Sequence, residues 1–103
     1  MTDESADQFK ILLGRLNVLI VEDEAIISFL IEDMLLELGC LSVTNVAGIP
    51  EALSAIDEGC PDVAVLDVNL DGQEVYPIAE RLKSSGVPFV FTTGYGSDGL
   101  KPE

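Results

Sequence analysis

At 103 residues, 48% of them hydrophobic, the chain is long enough for one packed core, too short for two, and too apolar to be a disordered polymer. Its 19 acidic and 5 basic side chains, with no histidine, give a formal net charge of -14. Such a surface repels phosphate backbones, which argues against nucleic-acid binding, and it attracts basic partners and metal cations.

The opening MTDESADQ is acidic and lacks the basic, apolar and small-residue pattern of a targeting signal. The longest apolar stretch, Ala25 to Ile31, is broken by Ser28 and ended by Glu32, so no membrane span is expected and a cytoplasmic location is. Cys40 and Cys60 form no CxxC pair, and both are expected as small buried hydrophobes in a reducing compartment.

Residues 1–16 read as an N-terminal extension in which DQFKILLGRL carries a helical apolar stripe, and residues 17–103 as one domain. NVLIV (17–21) is a continuous apolar, β-branched-rich run, the pattern of a parallel strand buried on both faces. Glu24 to Leu38 has apolar residues at helical spacing and stops at Gly39, a natural C-terminal glycine. One stripe of this helix, Ile27, Leu30, Ile31, Met34 and Leu38, is expected on the sheet; a second, Ile26, Phe29 and Leu36 around Asp33, needs another partner. LSVTNV (41–46) alternates as a strand does, and IPEALSAIDEG offers Pro50 at a helix start and Gly59 at its end. PDVAVLD (61–67) is a third strand, QEVYPIAERLKSSG (73–86) a third helix with Pro77 as an internal blemish, and VPFVFTT (87–93) a fourth strand. This short alternation implies an α/β fold, a doubly wound parallel sheet with helices on both faces. In such a sheet ligands bind at the carboxyl ends of the strands, near the point where strand order reverses.

Glu22, Asp23 and Glu24 follow the first strand, Asp67 ends the third, and Thr92, Thr93 and Gly94 end the fourth. Acids converging from neighbouring strands repel one another and need a proton or a cation. Oxygen donors without His or Cys favour a hard ion, magnesium before zinc, to which Thr93 would add a hydroxyl and the backbone around Asn69 a carbonyl. Taken singly, each residue has an ordinary explanation. Asp67 suits a turn, Glu24 a helix start, Thr93 a strand, and Asp62 and Asp71 are solvated turn or strand-start residues.

VLIVEDE, VAVLDVNLDG and PFVFTTGYG, in this order and spacing, resemble the receiver domain of two-component response regulators. LDVNL and the Thr-Gly-Tyr-Gly after the fourth strand resemble the single-domain subgroup with an FATGYG-type motif. The resemblance implies a flavodoxin-like receiver fold, strand order 2-1-3-4 in this chain, with Asp67 as the phosphoacceptor. The phosphoryl group would come from a sensor histidine kinase or a phosphotransfer protein. Mg²⁺ would be held directly by Asp23, largely through water by Glu22, by Asp67, and by the backbone carbonyl of Asn69. Thr93 matches the switch hydroxyl that contacts the phosphoryl oxygens, and Gly94 leaves them room. The chain would catalyse its own phosphorylation and hydrolysis and would not be an enzyme acting on a separate substrate.

A complete receiver also has a fifth strand, a fifth helix and a lysine that pairs with the phosphoryl group. These are expected to be missing here: Lys101 and Pro102 resemble the family's Lys-Pro pair but fall too early to follow a fourth helix. VPFVF then becomes an apolar sheet edge, and a homodimer through that strand or through the N-terminal segment is expected. Two alternatives compete. One is a receiver-like binding or dimerisation module that is not phosphorylated; the other is a metal-dependent hydrolase turning over phosphate esters. The joint presence of Asp23, Asp67 and Thr93 favours the receiver.

Overall fold

The computed structural model describes residue 8, residues 11–68 and residues 75–92. Among them are four strands, β1 (Asn17–Val21), β2 (Ser42–Val46), β3 (Val63–Asp67) and β4 (Phe89–Thr92), alternating with α1 (Ala25–Leu38), α2 (Ile49–Glu58) and α3 (Tyr76–Ser84). All pairings are parallel and the order is β2-β1-β3-β4, as the alternation and the resemblance implied. The chain leaves β1 for β2 on one side and returns to β3 on the other. The reversal therefore lies between β1 and β3, and the crevice it creates opens at their carboxyl ends.

β1 shows why the apolar run is continuous. Leu19 and Val21 face a core built with Ala64 and Leu66 of β3, Ala52 and Ile56 of α2, and Ile78 and Leu82 of α3. Val18 and Ile20, alternating with them, face Cys40 with Ile31 and Leu35 of α1 packed alongside. Four consecutive residues thus sit in two cores. Residues 11–13 are helical, and Leu13 and Leu16 pack on the α1 side of the sheet. No described helix is long and apolar enough to cross a membrane.

Two helices end in the same way. Gly39 has φ +104° and its N–H bonds the Leu36 carbonyl at 3.0 Å, while Cys40 N–H bonds Leu35 at 3.1 Å. Gly86, at φ +75°, repeats this with Lys83, and Val87 with Leu82. Each left-handed glycine closes the helix and drops the next apolar residue into a core. Gly59 has φ -167°, extended backbone open to any residue, so its place after α2 requires no glycine.

Several local expectations are corrected. α3 begins at Tyr76, so Pro77 lies in the first turn, where its missing N–H costs nothing. Cys60 is exposed while Cys40 is buried. In α1 the sheet side is Ile31 and Leu35 with buried Ser28, and Leu30, Met34 and Leu38 point to solvent. A helix apolar on nearly every side gives the wheel no direction to choose.

Candidate functional site

Register delivers the acids. Val21 pairs with Leu66, so the residues that follow, Glu22 just after β1 and Asp67 at the end of β3, emerge side by side where the two central strands end. Glu22 N–H is still held by the Val46 carbonyl at 3.0 Å and Val68 N–H by Thr92 at 3.3 Å, which fixes the chain on both sides of the crevice. Glu22, Asp23 and Asp67 each bring a carboxylate oxygen within 4.8 Å of the others. Glu22 and Asp67 are each only 6% exposed, and Asp23 is half-buried.

This is an electrostatically tense arrangement. Burial pushes the Glu22 carboxyl from its ordinary 4.5 up to about 7. The Glu24 N–H, donating to Glu22 Oε2 at 3.2 Å, opposes the rise, and the charges of Asp67 and Asp23 add to it. A hydrogen bond joins the Glu22 and Asp67 side chains, and such a bond between two carboxyl groups needs a proton on one of them. A cation in place of that proton would satisfy all three groups. The donor set is oxygen alone, compact, and negatively charged in excess, which fits a hard divalent ion with metal–oxygen bonds of about 2.1 Å.

The structure thus brings together Glu22, Asp23 and Asp67. Asn69, Thr93 and Gly94 lie outside the described residues, as do Asp71, Tyr95 and Lys101. Thr92 is described: it pairs with Asp67 across β3 and β4, and its hydroxyl donates to the Leu66 carbonyl at 3.4 Å. Sequence reasoning passed over the Glu24 backbone N–H as a contributor, because only the fold of the turn after β1 turns it back toward Glu22. Asp62, read as merely solvated, instead accepts from Asn17 N–H at 2.7 Å and Asn17 Nδ2 at 3.2 Å at the far end of the sheet.

Comparison with known proteins agrees with this fold. The model of the response regulator receiver domain family matches residues 18–102. The probable transcriptional regulator ycf27 of Guillardia theta is 36% identical over 80 residues, which is 77% of this chain and 31% of that protein; the chain therefore spans about a third of its relative's length. SdrG from Sphingomonas melonis Fr1 superimposes with a TM-score of 0.74 at 39% identity, over 85% of this chain and 75% of SdrG. A BeF3-activated conformation of SdrG, there assigned to Pseudomonas melonis Fr1, is 41% identical over the aligned residues, which cover 85% of this chain and 76% of that one, with a TM-score of 0.69. The response regulator PhyR from Brucella abortus, at 25% identity and a TM-score of 0.71, covers 98% of this chain and is itself covered over 44% of its length. With the family model covering most of its length and the strand order to match, the chain belongs to the receiver domain family of two-component response regulators.

Proposed function

We propose that the chain is a phosphoacceptor in which Asp67 takes a phosphoryl group from a sensor histidine kinase or a phosphotransfer protein. The observation that carries this reading is the buried Asp67 carboxylate at the end of a central strand, grouped with Glu22 and Asp23. An Asp67 oxygen forms the new P–O bond as the P–N bond to the donor's imidazole breaks. In-line transfer of this kind asks the protein mainly for positioning and for charge to offset the transferring group. Glu22, Asp23 and Asp67 would hold Mg²⁺, with the Asn69 carbonyl completing the set on the strength of the family resemblance. The ion, when bound, supplies positive charge beside the transferring phosphoryl oxygens.

The chain's own residues do the rest. The Glu24 N–H orients Glu22, and the paired ends of β1 and β3 hold the nucleophile in place. Thr93, by the same resemblance, carries the switch hydroxyl. Transfer and hydrolysis are self-catalysed, with no separate substrate. The BeF3-activated conformation of SdrG supports the reading, because beryllofluoride on a carboxylate has the shape and charge of an acyl phosphate. Output passes through protein contacts in the cytoplasm. β4 is the outer strand among the described residues, with Val90 and Phe91 exposed, and a second copy would add there.

The test is incubation with acetyl phosphate and Mg²⁺ followed by intact mass. One phosphoryl group gained by the wild type and none by Asp67→Asn is expected. No gain in either protein would instead favour the non-phosphorylated binding module.

A further inference from the structure

β2 forms one margin of the described sheet, paired there with β1 alone. Ser42 N–H bonds the Leu16 carbonyl and the Val46 carbonyl accepts from Glu22 N–H, so Ser42, Thr44 and Val46 turn their main chain toward β1. By the alternation of a parallel ladder, the N–H and C=O groups of Val43 and Asn45 point outward, away from β1. Beside this edge α2 lays one face, on which Glu51, Ser54, Ala55 and Glu58 stand at i, i+3, i+4 and i+7. Together with Thr44 and Val46 they line a groove. At its Glu58 end the groove runs into a cavity of about 280 Å³ whose walls include Leu19, Thr44, Ala55 and Pro61. Glu51 and Glu58 are both exposed, and neither β2 nor α2 holds a basic residue.

We propose that this edge takes an extended, basic segment of a partner protein as an additional strand. Strand addition needs outward main-chain groups and a neighbouring recess for alternate side chains, and β2 with its groove has both. Glu51 and Glu58, seven residues apart on a helix, are separated by about 10 Å. That falls between the spacing of residues i and i+2 on a strand, about 7 Å, and of i and i+4, about 13 Å. Flexible lysine or arginine side chains at i and i+4 therefore reach both acids, and the residue between them, at i+2, sets an apolar side chain over Ala55. This chain does not supply the segment itself: its bases, Lys10, Arg15, Arg81, Lys83 and Lys101, include no pair four apart. Two copies joined edge to edge through β2 would bring Glu51 and Glu58 toward their own counterparts, with no base nearby to offset them. A helix would leave the outward groups of Val43 and Asn45 unpaired, and nucleic acid is repelled by a net charge of -14. Binding uses none of the carboxylates grouped around Asp67 and does not depend on phosphorylation.

The probe is a fluorescein-labelled Thr-Lys-Thr-Val-Thr-Lys-Thr peptide, set against one of the same composition with its two lysines adjacent. Fluorescence anisotropy with the 103-residue chain is expected to show the patterned peptide bound at least about fivefold more tightly. Amide exchange followed by NMR is expected to slow at Val43 and Asn45 on binding and to stay unchanged at Ser42 and Thr44, whose N–H groups β1 already holds. Glu51→Gln with Glu58→Gln weakens binding about fivefold and flattens its salt dependence. Both side chains are exposed, so the fold survives, as circular dichroism would show. Asp67→Asn binds as the wild type does, which keeps a failure here distinct from a failure of the phosphoacceptor reading. Equal affinity for the two peptides, or binding without slowed exchange at Val43 and Asn45, overturns the proposal. So does slow exchange at these two amides in the free chain, which would mean that the edge is already covered by the chain itself or, if sedimentation velocity shows a dimer, by a second copy.

Discussion

The two ends of β3 carry aspartates in opposite circumstances. Just before the strand, exposed Asp62 accepts from the backbone and side-chain amides of Asn17 and returns a bond from its own N–H to the Asn17 carbonyl at 2.8 Å. Ser42 extends the network by donating to Asn17 Oδ1 at 2.5 Å, so β1, β2 and β3 are tied together at this end. At the other end, buried Asp67 meets two more acids. A carboxylate among donors is a fastener; a carboxylate among carboxylates is a site held ready for positive charge. Residue type is the same; depth and neighbours differ.

The largest effect expected from breaking this contrast is at Asp67 itself. Asp67→Asn abolishes phosphoryl acceptance, whereas Asp62→Asn leaves it intact; intact mass after acetyl phosphate treatment reads both. Next is the pH dependence of stability without metal. Glu22 keeps its proton in the folded chain up to about 7, while the unfolded chain releases it near 4.5, so the folded state binds more protons between these values. Stability therefore falls as pH rises through that window, by up to about 3 kcal/mol from this group. Urea denaturation at pH 5 and pH 8 checks it. Glu22→Gln should remove most of the slope, and Mg²⁺ at pH 8 should raise the wild-type midpoint by binding the folded state.

Asp62→Ala should cost about 1 kcal/mol, the worth of one or two exposed hydrogen bonds, and its denaturation midpoint should shift equally at pH 5 and pH 8. Smallest is Asp57→Ala, which removes the surface ion pair between α2 and Arg81 of α3 and should lower the unfolding free energy by no more than about 0.5 kcal/mol. A large loss there would mean that surface pairing, and not the neighbours of each acid, decides what these carboxylates do.

The sheet was legible because β1 and β3 are short apolar runs ending in acids, and a run buried on both faces leaves little choice of element. Glu22, Asp23 and Asp67 were legible for the same reason, since strand ends of a doubly wound sheet converge. What could not be read was orientation. Of the stripe assigned to the sheet, Ile31 does lie there, joined by Leu35, while Leu30, Met34 and Leu38 face solvent, because α1 offers apolar residues on nearly every side. The clamp of Asp62 to Asn17, 45 residues away, follows from register, which no local pattern encodes. That converging acids need a proton or a cation was expected; that burial places the rise on Glu22 is visible only once both strands flank it.

That register has a consequence for how the domain tolerates change. Asp67 faces its acidic neighbours because Val21 meets Leu66 and Thr92 meets Asp67, all through main-chain bonds that do not depend on side-chain identity. Conservative replacements along β1, β3 and β4 should leave the carboxylates where they are. One residue inserted or deleted within β3 would put an aliphatic side chain where a carboxylate belongs, with the hydrogen-bonded ladder intact. The same ladder is permissive toward substitution and strict about length.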